Sequence, residues 1–159
     1  LHPRVRRQRQ MCIRDRMDTK YEPGTVKVIA YDKDGNAVAG KEMKTAGKPY
    51  RIELTADRDK IMADGKDLSF VTVKVVDKDG NLCPTAANEI TFKVKGKGYY
   101  RAGANGDPTS LESFQAPHMK VFSGMMTAIV SSTEEPGKIT LEATSKGLKK
   151  ATLVIESGK

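Results

Sequence analysis

The sequence predicts an all-β chain: a seven-stranded β-sandwich preceded by an orphan β-hairpin. Three observations carry that expectation. Apolar and polar residues alternate at period two in run after run, as strands with one buried and one wet face require. Clusters of Gly, Asp and Asn punctuate the runs at short intervals. No segment carries the apolar stripe at helical spacing that an amphipathic helix would need.

The elements follow in chain order. "TVKVIAY" sets Val26, Val28 and Ala30 against Lys27 and Ile29. With the residues up to 46 it reads as a hairpin that has no further sheet of its own. Such a hairpin is marginally stable in water, so residues 17–47 are expected to be the end of a preceding sandwich domain. From 48 to 157 strands are predicted at 50–56, 69–76, 88–95, 98–103, 125–132, 138–144 and 149–156. "FVTVKVV" places Val71, Val73 and Val75 on one face. "EITFKVK" does the same with Ile90, Phe92 and Val94, and "KITLEAT" with Ile139, Leu141 and Ala143. Seven short strands in about 110 residues, with turns between them, indicate two packed sheets.

The pentapeptide "DKDGN" occurs at Asp32–Asn36 and again at Asp77–Asn81. A calcium loop of the EF-hand type needs Gly at its sixth position and a bidentate Glu at its twelfth. Here Gly is fourth, and the twelfth positions are Met43 and Asn88. Both copies therefore read as tight turns between strands.

The net charge of +8 raises the question of a nucleic-acid partner. Six arginines and one acid in residues 1–16 account for +5, leaving 22 basic and 19 acidic residues over 17–159. "LHPRVRRQRQMCIRDR" has no strand or helix pattern, and "MCIRDR" resembles a translated sequencing adapter. Residues 1–16 are expected to be a non-native leader, and no nucleic-acid partner is expected. No apolar run approaches the length of a membrane-spanning helix, so no membrane partner is expected either.

Catalytic groups are sparse. His2 lies in the leader and leaves His118 as the one histidine of the body, beside Pro117 and Met119, where a loop position is expected. Cys12 and Cys83 form no metal or redox pattern, and nothing indicates a cofactor or a metal. Asp107 and Glu112 are the one carboxylate pair in an unusual setting, yet Asp107 before Pro108 reads as the start of a turn. A sugar-binding platform is a weak expectation, since the chain has no Trp and adjacent Tyr99 and Tyr100 must face opposite ways on a strand. The stretch 103–124 lacks alternation and is long for a connection in a compact sandwich, which marks it as functional, interfacial or mobile. Phe114 and Phe122 either pin it to the sandwich or anchor it to another domain.

At this point the chain resembles the non-catalytic C-terminal region of bacterial glycoside hydrolase family 2 enzymes, the β-galactosidase-like group. The resemblance lies in "ANGDPTSLESFQAPHMKVFSG" followed by "TAIVSS", in "ADGKDLSFVTVKVVDKDGN" upstream and in "GKITLEATSKGL" downstream. "YEPGTVKVIAYDKDGNAVAGKEMKTAG" looks like the end of the sandwich domain that precedes this module. The resemblance implies an immunoglobulin-like module carried behind a catalytic barrel, with no catalytic residue in the module itself. Its implied partners are that barrel and the preceding sandwich domain. It further implies an interdomain or cleft-edge loop of Asn105, Gly106, Asp107, Pro108, Glu112, Phe114 and His118. The rival expectation is an adhesin-type binding module, supported by the Ala63-Asp64-Gly65 entry to a Val-rich strand.

Overall fold

The computed structural model describes residues 20–159; the leader, 1–16, lies outside the described residues. The chain divides into two compact units, one ending at Lys44 and one covering Thr45–Lys159.

The first unit is the hairpin of β1 (Thr25–Tyr31) and β2 (Ala37–Lys44). Val26 pairs with Met43, Val28 with Lys41 and Ala30 with Ala39, which puts these side chains on one face. A bulge follows at Ala30/Tyr31. Every residue of both strands is exposed, so this apolar face has no core of its own.

The second unit is a sandwich of two sheets. Its strands are β3 (Arg51–Ala56), β4 (Lys60–Met62), β5 (Leu68–Val76), β6 (Glu89–Gly96), β7 (Gly98–Ala104), β8 (His118–Lys120), β9 (Met125–Ser132), β10 (Gly137–Thr144) and β11 (Ala151–Gly158). One sheet has the order β4-β11-β10-β6-β8 and the other β3-β5-β9-β7. All seven predicted strands are present. Two strands of three residues, β4 and β8, add to the edges of the five-stranded sheet. Three residues are too few to show a period, which is why neither was predicted.

The alternation read from the sequence is the alternation of burial. Val71, Val73 and Val75 of β5 and Ala128 and Val130 of β9 point inward from one sheet. Ile90 of β6, Ile139 and Leu141 of β10, and Ile155 of β11 meet them from the other. Each such side chain contributes about 1.5–3 kcal/mol by leaving water. Tyr99 and Tyr100 do face opposite ways. Tyr99 is exposed, whereas Tyr100 turns inward and stacks on Phe92 with ring centroids 5.4 Å apart. Burial pushes the Tyr100 phenol up to about 12. Among the described residues no helix is long and apolar enough to cross a membrane.

Candidate interdomain loop

The stretch 103–124 is not one loop. It contains the end of β7, an irregular segment at 105–117, strand β8 and a two-residue turn into β9. His118 is therefore corrected from loop to strand: it pairs with Thr91 of β6 and its side chain is exposed. The turn is Ser123-Gly124, both at positive φ (51° and 74°), as the twist of a two-residue hairpin demands. A Cβ at Gly124 would also collide with the Cys83 carbonyl oxygen, so only glycine fits there.

The irregular segment is held by its own polar groups. Asn105 does two tasks: its Nδ2 donates to the Lys120 carbonyl (3.0 Å) and its Oδ1 accepts the Asp107 N–H (3.0 Å). Gly106 adopts φ +76°, in the left-handed region. Asp107 Oδ1 accepts from the Thr109 hydroxyl (2.7 Å) and the Thr109 N–H (2.9 Å). These two bonds, the hydroxyl's first, hold its carboxyl below the usual carboxylate range. Pro108 follows as an exposed turn residue. The Glu112 carboxylate accepts the Lys120 N–H at 3.2 Å, tying the segment to β8. The Phe114 carbonyl accepts the Gly103 N–H (2.7 Å), and the Pro117 carbonyl accepts the Phe92 N–H (2.8 Å).

The chemistry of this arrangement is positional. Asp107 and Glu112 each hold backbone through a different partner, so both carboxylates serve the segment's shape. Cys83, the described cysteine, is buried, and burial followed by the charge of Asp77 pushes its thiol up, away from a nucleophile's needs. Among the described residues no group of His, Cys, Asp and Glu is arranged to hold a metal ion.

The apolar side chains are left over. Phe114 is 62% exposed, Phe122 46%, and Leu111 is fully exposed. Leu111 was missed in the sequence reading. A lone Leu between Ser110 and Glu112, in a stretch with no period to bury it, was the available signal. A surface recess of about 360 Å³ lies elsewhere, lined by Asn88, Glu89, Thr91, Thr144, Ser145 and Lys146, with no aromatic face for a sugar ring.

The chain is 50% identical over 138 residues to the β-galactosidase BoGH2A of Bacteroides ovatus, covering 87% of this chain and 16% of that protein. It is 28% identical over 140 residues to a β-glucuronidase of Formosa agariphila, covering 86% of this chain and 14% of that protein. A solved glycosyl hydrolase family 2 member from Bacteroides cellulosilyticus superposes with a TM-score of 0.82 at 34% identity, over 89% of this chain and 18% of that one. The chain thus spans about a sixth of the length of the curated relatives it matches. The family described as glycoside hydrolase family 2 C-terminal domain 5 matches residues 52–154. On that match, over most of the sandwich, the chain belongs to the glycoside hydrolase family 2 C-terminal domain 5 family.

Proposed function

We propose that this chain is the accessory C-terminal module of a longer β-galactosidase-like glycoside hydrolase, and that its 105–117 segment docks on the catalytic body at the margin of the substrate cleft. One observation carries the docking role. The segment satisfies these polar groups within itself and against β8, and presents Leu111 and Phe114 to solvent. A rigid loop with exposed apolar anchors has little ordering entropy left to lose on binding, which favours an interface. The β1–β2 hairpin, apolar on one face, belongs in this reading to the sandwich domain that precedes the module. A β-galactoside is preferred as the substrate of the whole enzyme, because the relative of higher identity is a β-galactosidase.

The test uses the complete enzyme carrying this module, with Leu111→Asp and Phe114→Asp introduced together. The expected result is a lower melting temperature and weaker turnover of a chromogenic β-galactoside, with the melting of the 159-residue chain unchanged. A complete enzyme indifferent to both substitutions overturns the docking role. Turnover by the purified 159-residue chain itself overturns the accessory assignment.

A further inference from the structure

Both sheets end on the same side of the sandwich, and one segment closes that side. β7 is the last strand of the four-stranded sheet, and β8 is the last of the five-stranded sheet. A strand at the end of a sheet turns backbone N–H and C=O groups away from its neighbour, and those groups need other partners. Residues 105–117 supply partners on both strands. The Phe114 carbonyl accepts the Gly103 N–H of β7 (2.7 Å). On β8 the Glu112 carboxylate accepts the Lys120 N–H (3.2 Å), and the Asn105 amide donates to the Lys120 carbonyl (3.0 Å).

The attachment is light. None of residues 105–117 is buried, whereas Gly103 and Met119 beside them are. A segment held by hydrogen bonds without buried side chains lies at the low end of local stability. Its own turns keep it in one piece: the Ser110 N–H bonds the Asp107 carbonyl (3.3 Å), and the Ala116 N–H bonds the Ser113 carbonyl (3.1 Å).

At the Gly103 fastening lies a polar group that opposes closure. A Cβ at Gly103 would stand 2.4 Å from the Tyr100 hydroxyl oxygen and 3.2 Å from Met126 Cε, so the phenol reaches right up to this point of β7. That hydroxyl is buried and, among the described residues, makes no hydrogen bond. A hydroxyl buried without a partner disfavours the state that buries it.

We infer that residues 105–117 form a strap that opens from the side of the sandwich as one unit, admitting water to the Tyr100 hydroxyl, and that, on the reading of this segment as the docking site, contact with the catalytic body holds it shut. The shut strap is the prevailing state and the open one a minor state. Leu111 and Phe114, the exposed anchors, belong to the strap, and Phe114 is also one of its fastenings. A partner that binds the shut strap and not the open one shifts the equilibrium by that difference in affinity.

Native-state hydrogen exchange tests this, by NMR in the 159-residue chain and by mass spectrometry of the 103–120 stretch in the complete enzyme. In the short chain the Gly103 and Lys120 amides, one on each sheet, should share one opening constant, at least about 100-fold larger than that of β5 amides. Glu112→Ala should raise it about tenfold at both amides, although Gly103 bonds Phe114 and not Glu112. Tyr100→Phe, which keeps the ring and removes the hydroxyl, should lower it about tenfold at both. In the complete enzyme the 103–120 stretch should exchange at least about tenfold more slowly than in the short chain. Separate constants for Gly103 and Lys120, or constants equal to those of β5, overturn the strap and leave the docking reading standing. So does a Tyr100→Phe chain in which both amides are unchanged. A strap that opens in the short chain and exchanges equally fast in the complete enzyme overturns the coupling and the docking reading together.

Discussion

The two DKDGN turns share five residues and one local geometry but have different fates. In each, the first aspartate accepts the N–H two residues on at 2.9 Å and the asparagine N–H four residues on at 2.8 Å. In each the glycine stands at positive φ, 81° for Gly35 and 89° for Gly80. The second turn is also tied to distant residues: Asp77 Oδ2 accepts the Gly47 N–H at 2.8 Å, across thirty residues of sequence. Asp77 is buried, and the Arg51 guanidinium donates to the Lys78 carbonyl of the same turn (3.0 Å). Asp32 has its carboxyl lowered chiefly by the Asn36 N–H, whereas the Gly47 N–H leads in drawing Asp77 down to about 2. Local sequence therefore makes the turn, and packing decides whether the turn also secures a fold.

The largest contrast should be in hydrogen exchange of the 159-residue chain. Amides of β5 and β9 are expected to exchange on the order of 10⁴ times more slowly than those of β1 and β2, since the sandwich opens only globally while an isolated hairpin frays. Comparable protection in both would break the comparison. Next is a pair of isoleucines. Ile139→Ala, at a fully buried site, should destabilise the 45–159 unit by about 3 kcal/mol in urea unfolding. Ile29→Ala, 37% exposed on the hairpin, should stay within about 0.5 kcal/mol.

Smaller again is the effect of the turns themselves. Asp77→Ala should lower the melting temperature of the sandwich by several degrees, leaving the Gly47 and Asn81 N–H groups without their acceptor. Asp32→Ala should leave that melting unchanged. The smallest effect is on pH dependence. Asp77 has a folded value below the ordinary 3.8, so its contribution is fully present above about 4 and is lost as the pH falls through about 2. Asp77→Asn should flatten stability between those pH values, as followed by circular dichroism, and an unchanged slope would assign the acid sensitivity to other carboxylates.

Legibility followed period and length. Six of the seven predicted strands were readable because each repeats its apolar residue three times, as Val71, Val73 and Val75 do, whereas β7, GYYRAGA, has no such run. β4 and β8 each have a single inward residue, Ile61 and Met119, and one residue has no period. That is also why His118 read as loop: the pairing that makes it strand is with Thr91, far off in sequence. In the candidate segment the turn chemistry of Asp107-Pro108 and the oddity of the stretch were visible. The tie from Glu112 to the Lys120 N–H was not, because it joins residues brought together by β8.

By itself the sequence determined the all-β character, the turns and the faces of the long strands, because alternation and positive-φ residues act within a few residues of one another. Only the tertiary structure decided which of two identical turns is buried, which edges the short strands close, and that Leu111 and Phe114 remain uncovered. Those are properties of residues distant in the chain, fixed when two sheets pack and whatever cannot fit between them is left outside.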